Sequence, residues 1–571
     1  MAIIEYIMRP VTKNLRFFVS VFLLFAISII TIEYGNCSRM RAGLEVFADI
    51  YFLCLLLMAI PEKFRKYAKY ILFGLFYVIG LADMLSYQIM GVALVPNVVQ
   101  TWLQTNGEEA REALAMYLSQ QLLLTPLSLL LVLPLLIYAT KGKKMKTPRP
   151  FVAMMFLLTI ASALYGINNK RYLYEVYTRV SDDDMEDLIE AESMTHEYLP
   201  VYRILLSVKE ISRFSTMKKH LLYNVKHTAI DSCQFTSSRI VLIIGESYNR
   251  HHASLYGYPK LTTPIQDSLC GAGSLQRFTN VISSYNLTYK SFQNMLTLYN
   301  YDSKGKWYDY PILPAIFKKA GYEVDFFSNQ NTLDKASSFT DFTEDVFMNN
   351  QEITSYMFDK RNAHSHPYDM QLIDDYLSMA ASTKSLHQLI IFHFIGIHAD
   401  FKLRYPQELA VFHAGDYERP DLNTADKETL ADYDNAILYN DKVVGNIIKT
   451  FESQDAVIIY VPDHGELVYD NCQDMGRNLI MEKKYIVPQF DIPFWIYGTD
   501  TYCDRHPDLW RKIAGAKDRP FMTDDLPHLL LNLAGIMCNG YSPERNIIDD
   551  RFDDSRKRYI KGEVDYDAMC K

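Results

Sequence analysis

The sequence predicts a membrane-spanning helical domain followed by a doubly wound α/β domain. Three observations carry this reading. Five apolar runs crowd into the first 170 residues, short apolar strands alternate with helical stretches from residue 238 onward, and two of those strands end in clustered metal-ligand residue types. At 571 residues the chain is also too long for one ordinary domain.

The apolar runs lie near Phe17–Ile32, Val46–Ile60, Tyr70–Met90, Leu122–Ala139 and Phe151–Ile167. A helix crosses the hydrocarbon of a bilayer with about 20 such residues, and the second and fifth runs are among the shorter ones. Asp49 and Asp83 fall inside the second and third runs, where a carboxylate is usually paired or functional. Basic residues orient the set. Arg9, Lys13 and Arg16 precede the first run, Lys63, Arg65, Lys66 and Lys69 join the second to the third, and Lys141, Lys143, Lys144, Lys146 and Arg149 join the fourth to the fifth. The opposite loops offer Arg39, Arg41 and Arg111, with Lys170 and Arg171 as a dissenting pair. This asymmetry predicts a cytoplasmic amino terminus, and five spans then carry everything after residue 170 to the outside. The first run is too long for a cleaved signal sequence and has no small-residue cleavage site, so it is expected to be retained.

The chain therefore divides into a transmembrane domain (1–170), a linker (171–235) and an exported domain (236–571). The linker is charged, with Asp182–Glu190, and then turns amphipathic over Tyr202–Ile211, a pattern for a helix on a membrane surface or on the neighbouring domain. In the exported domain the strand candidates are Ile240–Ile244, Val324–Phe327, Leu389–Phe394, Val457–Val461 and Phe494–Tyr497. Helical patterns at Ile312–Ala320, Tyr368–Ala381 and Ala431–Phe451 separate them. Such alternation predicts parallel strands with crossover helices. A net charge of −9 without a basic stripe in the exported part argues against nucleic acid as a partner. Six of the eight cysteines fall in the exported part, where disulfides are permitted, and none has zinc-site spacing.

The run from Ile240 delivers Glu246 at its carboxyl end, and the run from Val457 delivers Asp463 and His464 at the same kind of place. Ligands of open α/β sheets sit at such ends. A Glu, an Asp and a His there suit a divalent metal, most simply zinc. A metal site of this kind activates a hydroxyl nucleophile, and Ser247, Ser283, Ser284 and Thr288 are all available; position alone does not choose.

The segment Gly245–Pro264, with Leu255-Tyr-Gly-Tyr258, resembles the signature of the bacterial phosphoethanolamine transferases that decorate lipopolysaccharide, members of the alkaline phosphatase/sulfatase superfamily. The likeness continues through Asn280–Thr288, Gly321-Tyr, Ser328-Asn-Gln330, His393–His398, Pro462–Glu466, Gly476-Arg-Asn and Phe490–Phe494, so it covers nearly the whole chain. It is closer to the branch acting on the lipopolysaccharide core than to the lipid A branch, which carries a further His-Gly where Gly476-Arg477-Asn stands here. The resemblance implies zinc held by Glu246, Thr288, Asp463 and His464, with Thr288, forty-two residues after Glu246, as the nucleophile. It implies His398 as a substrate contact and general acid, and Asn329 and Lys335 as further substrate contacts; at the departure from the lipid A branch, either Arg477 contacts a phosphate instead or a second zinc is absent. His393 reads as a core histidine. Thr101, Thr105 and Glu109 share a helix face by their four-residue spacing, and the resemblance implies that Thr105 and Glu109 hold the donor's ethanolamine.

The expectation is a zinc-dependent enzyme of the bacterial inner membrane, its α/β alkaline-phosphatase/sulfatase-like domain periplasmic. It would transfer phosphoethanolamine from phosphatidylethanolamine to lipopolysaccharide (core or lipid A) through a covalent threonine, raising resistance to polymyxin-like cationic peptides. Two rivals stand beside it: a phosphoglycerol transferase of the lipoteichoic acid synthase type, and a catalytically dead membrane-anchored binding protein. A sulfatase activity is disfavoured because no Cys/Ser-x-Pro-x-Arg sequence is present to make formylglycine.

Overall fold

The computed structural model describes residues 2–31, 39–90, 94, 132–134, 137, 147–178, 200–332, 346–383, 385–470, 472–476 and 482–570. The chain divides into two compact units, Met1–Ser215 and Thr216–Lys571.

In the first unit a short helix, Arg9–Lys13, breaks at Asn14 and resumes as α1 (Leu15–Thr31). There follow α2 (Arg39–Ala59), α3 (Glu62–Met90) and α4 (Arg149–Thr178); α5 (Pro200–His227) begins in this unit and ends in the next. Two of these are long and apolar enough to cross a membrane, over Ala42–Ala59 and Glu62–Tyr87; the apolar parts of α1 and α4 are shorter. Most of the run expected at Leu122–Ala139 lies outside the described residues, as does 179–199 of the expected linker. The amphipathic pattern at Tyr202–Ile211 is inside α5.

Both carboxylates of the apolar runs are paired. Asp83 is fully buried, forms an ion pair with Arg203 and accepts from Ser28 Oγ and the Leu94 amide, both at 3.0 Å. Asp49 accepts from the Tyr202 hydroxyl at 2.6 Å. These contacts hold the start of α5 against the helices before it, the structural alternative for a carboxylate in an apolar span.

The second unit is built on a seven-stranded sheet. Its strands in chain order are β1 (Arg239–Gly245), β2 (Leu275–Phe278), β3 (Glu323–Ser328), β4 (Lys360–Arg361), β5 (Gln388–His393), β6 (Ala456–Pro462) and β7 (Phe494–Gly498). The spatial order is β2-β7-β6-β1-β5-β3-β4. Every residue of β3, β5, β6 and β7 is buried, and β1 departs from this only at Arg239, which is why these strands read as unbroken apolar runs rather than alternating ones. Helices α6 (Thr288–Met295), α7 (Leu313–Ala320), α8 (Gln371–Ala380) and α9 (Thr424–Phe451) fall between the strands.

The sheet is mixed, correcting the expectation of parallel strands throughout: β7 runs antiparallel to both β6 and β2. The connection explains it. After β6 ends at the site, the chain forms a helix over Lys483–Phe490 whose end stays at that level, where the Gly465 amide donates to Gln489 O at 2.9 Å. A strand starting at the carboxyl end of its neighbour can only run back. At Gly465 a Cβ would overlap Pro488 O, so this close return depends on glycine.

Candidate metal centre

β1 and β6 are parallel neighbours in register, Ile244 opposite Val461 and Gly245 opposite Pro462. The next residues, Glu246 and Asp463, therefore leave the sheet side by side. The Asp463 amide donates to Gly245 O at 3.1 Å, and Asp463 Oδ1 accepts from the amides of Ser247 (3.2 Å) and His464 (2.8 Å). Ser247 sits at φ 55°, a left-handed conformation that is uncommon for serine and marks a constrained turn. Its hydroxyl donates to Glu246 Oε1 at 2.7 Å.

Glu246, Asp463 and His464 are all 0% exposed, and one ligand atom from each lies within 4.8 Å of the others. His464 Nδ1 lies 2.7 Å from Gly465 O; a carbonyl only accepts, so Nδ1 carries the proton. That leaves Nε2 facing Glu246 Oε1 at 3.4 Å and Asp463 Oδ2 at 3.3 Å. Two carboxylates and one imidazole nitrogen, buried and converging, form a donor set suited to a divalent cation such as zinc, with the imidazole oriented from its far side.

Thr288 is the first residue of α6 and partly exposed, and its Oγ1 donates to Glu246 Oε2 at 3.1 Å. Of the four hydroxyls weighed from sequence, two reach Glu246: Thr288 and Ser247. Ser283 and Ser284 are buried, their amides bonded to Phe490 O and Thr523 Oγ1. Only Thr288 of the two also stands at a helix amino terminus, where the first-turn amides lack intrahelical acceptors and attract an anion.

The loop after β5 closes the site. The Ile397 amide donates to Glu246 O at 3.1 Å, and Gly396, at φ 51°, would place a Cβ 2.8 Å from the Glu246 nitrogen. Buried Asp369 accepts from the amides of Ile395 and Gly396, both at 2.9 Å, and from Asn329 Nδ2 at 2.6 Å; its burial pushes its pKa up to about 6 despite those bonds. His398 follows on this loop, partly exposed. His393 lies in the core, bonded to Ser328 Oγ at 2.9 Å and packed on Phe292 and Phe326.

Asn329 departs from the expected substrate contact. It is buried, and besides bonding Asp369 it accepts from the His366 amide at 2.9 Å, so both ends of its amide serve the loop. The neighbouring Gln330 reaches the centre instead, its Nε2 donating to Glu246 Oε2 and to Phe394 O, both at 2.9 Å. The motif Ser328-Asn-Gln330 pointed to this turn, but the choice between adjacent amides depends on which way the turn faces. Lys335 and Arg477, and Thr105 and Glu109 of the other unit, lie outside the described residues. The seven described cysteines form no disulfide.

Residues 238–536 match the sulfatase family model. The chain belongs to the sulfatase family. Within that family it is similar to phosphoethanolamine transferase EptC of Escherichia coli K12, 27% identical over 550 residues that cover 94% of this chain and 92% of the relative. The Kdo(2)-lipid A phosphoethanolamine 7''-transferase of the same strain is 24% identical over only 54% of this chain and 53% of the relative. The crystal structure of the C-terminal periplasmic domain of EptC from Escherichia coli in complex with Zn is 30% identical, with a TM-score of 0.51, covering 60% of this chain and 96% of that one.

Proposed function

We propose that this sulfatase-family chain is a zinc-dependent phosphoethanolamine transferase of the bacterial inner membrane, with Thr288 as its covalent nucleophile. One observation carries the reading: a partly exposed threonine at a helix amino terminus bonds to a buried Glu246, which converges with Asp463 and His464. The named relatives and the zinc-bound EptC domain supply the chemical class. The motif resemblance of Gly245–Pro264 and Gly476-Arg-Asn to the branch acting on the lipopolysaccharide core favours that core as acceptor.

The residues that would hold zinc are Glu246, Asp463, His464 and Thr288. Zinc bound there supplies the positive charge that makes a threonine hydroxyl acidic near neutral pH. Glu246 Oε2 orients the Thr288 hydroxyl, and the first-turn amides of α6 face the place where the phosphoryl oxygens gather charge. Thr288 Oγ forms a bond to the phosphorus of phosphatidylethanolamine as the bond to diacylglycerol breaks, with His398 giving the leaving oxygen its proton. An acceptor oxygen on lipopolysaccharide then takes the phosphoryl group and Thr288 is released. Asp369 and Gly396 fix the loop bearing His398 against Glu246. Lys335 and Arg477 are proposed phosphate contacts, and Thr105 and Glu109 a proposed ethanolamine site. Five spans with a cytoplasmic amino terminus would confine the second unit to the periplasmic membrane surface, where both lipids lie. Ethanolamine added to an anionic surface would lower its affinity for polymyxin-like peptides.

Intact mass of the purified full-length protein after incubation with phosphatidylethanolamine tests this. A phosphoethanolamine-sized adduct with release of diacylglycerol is expected, absent in Thr288→Ala. An adduct retained in that variant sinks the nucleophile assignment, and an adduct formed only with phosphatidylglycerol sinks the donor.

A further inference from the structure

The helical unit holds a second charged site, with the opposite sign. Between the break at Asn14 and the first two turns of α3 lies an open cavity of about 540 Å³. Lys13, Arg16, Arg65, Lys66 and Lys69 line it, against one carboxylate, Glu62. Cations gathered around one cavity repel one another and gain from a shared anion. Leu15, Phe17, Phe73 and Ile137 give it an apolar flank, beside the polar Asn14, Ser20 and Tyr70.

Two polar groups sharpen the picture. Asn14, 2% exposed, donates its amide nitrogen to Pro10 O at 2.7 Å and to Cys54 O at 3.4 Å, while its Oδ1 is buried with no hydrogen-bond partner among the described residues. Arg65 donates from Nη2 to Ile60 O at 2.9 Å and Met58 O at 3.3 Å, while its Nε is likewise buried with none. An idle buried acceptor and an idle buried donor each cost stability until met. The cavity therefore offers cations and a guanidinium donor to a phosphate, a carbonyl acceptor to a hydroxyl, and an aromatic flank to acyl chains.

We infer that this cavity binds the headgroup of an acidic glycerophospholipid bearing free hydroxyls, of the phosphatidylglycerol or cardiolipin class. The phosphodiester meets the basic residues and a glycerol hydroxyl donates to Asn14 Oδ1. Phosphatidylethanolamine fits worse, because its ammonium adds a cation to five already present. The location agrees: both stretches are among those whose basic residues predict the cytoplasmic side, where basic pockets between helices meet anionic lipid. The site is thus distinct in charge and ligand from the proposed transfer centre.

Lipid titration of the full-length protein followed by native mass spectrometry tests this. Phosphatidylglycerol is expected to fill one saturable site about tenfold more tightly than phosphatidylethanolamine, and Lys66→Ala with Lys69→Ala to weaken it about tenfold or more. Lys63→Ala, in the same basic stretch but not lining the cavity, leaves binding unchanged. Asn14→Leu, which alters no charge, lowers the preference for phosphatidylglycerol over phosphatidic acid, which lacks the glycerol hydroxyls. Equal binding of phosphatidylethanolamine overturns the inference, as does an equal loss in Lys63→Ala, which would mean diffuse surface attraction. Full displacement by millimolar inorganic phosphate would reduce the site to a simple anion pocket and overturn the lipid. Because the readout is binding, an inactive protein that still selects phosphatidylglycerol would count against the transferase reading alone.

Discussion

Each unit buries carboxylates completely, and the two do it differently. Asp83, in the helical unit, is met by the guanidinium of Arg203, by a hydroxyl and by a backbone amide. Glu246 and Asp463 in the α/β unit meet the hydroxyls of Thr288 and Ser247, the amide of Gln330, backbone amides and an imidazole. A guanidinium is a permanent cation tethered to the chain, so the first arrangement is closed. Hydroxyls, amides and an imidazole protonated at Nδ1 orient the carboxylates, and none of these groups is a permanent cation. Burial alone does not separate structural from functional acids; the kind of donor does.

If that distinction holds, the largest effects come from the open cluster. Thr288→Ala should lower lipid-donor cleavage by about 10³-fold or more, the scale of losing a covalent nucleophile, while leaving the melting curve nearly unchanged. Glu246→Gln and Asp463→Asn should match it and also lower the zinc content measured on the purified protein. Chelation should remove activity reversibly and destabilise the α/β unit by about 4 kcal/mol where zinc had stood at a thousand times its Kd. Full activity after verified metal removal would overturn the assignment.

The closed pair should behave in the other way. Arg203→Ala strands Asp83 in an apolar setting, and should cost about 3–5 kcal/mol in detergent unfolding. Replacing both partners, Asp83→Leu with Arg203→Met, should restore most of that stability, because apolar packing commonly equals a buried pair. A double variant as unstable as Arg203→Ala would give Asp83 a role beyond pairing, and would erase the contrast between the two units.

What was legible in the sequence divides along the same line. Five of the seven strands stood out because buried parallel strands are uninterrupted apolar runs, and the metal-ligand types stood out because two such runs end in them. The strands that escaped, Leu275–Phe278 and Lys360–Arg361, are short edge strands carrying Gln276, Arg277, Lys360 and Arg361, so no apolar run announces them. The reversal of β7 was illegible for another reason: direction depends on where the preceding helix ends, which periodicity does not record. In the site, chemistry favoured Glu246, Asp463 and His464, and only resemblance favoured Thr288 over three serines. Gln330 and Asp369 were missed because each acts through a turn, Gln330 by displacing Asn329 and Asp369 by tying down Ile395 and Gly396.

Gln330 provides a finer test. It neither transfers nor holds the group, yet it donates directly to Glu246 Oε2. Gln330→Ala should weaken zinc affinity or activity by about 10- to 100-fold, the range for a group that orients a metal ligand. A loss as large as that of Thr288→Ala would place Gln330 on the substrate instead.

The smallest effect concerns a third buried charge cluster, which combines features of both kinds. His252 is buried with Asp434 2.8 Å from Nδ1 and Asp470 3.3 Å from Nε2. Burial alone would lower its pKa, but the carboxylates of Asp470 and Asp434 outweigh that and raise it to about 10. Asp470 shifts downward in turn, against its own burial, because the imidazolium faces it. Here the cation is part of the chain, as in the Arg203 pair, but it can be lost. A histidine whose folded pKa is raised binds its proton more tightly when folded. Its contribution is complete below the unfolded value near 6.5 and drains away as pH rises toward 10, with a slope of at most one proton, about 1.4 kcal/mol per pH unit. Unfolding of the wild-type protein followed across that window should show the decline, and His252→Gln should flatten it while starting from lower stability. A wild-type stability that stays level from pH 7 to 9 would mean that His252 is neutral in the fold, and that its two carboxylates are neutralised by something else.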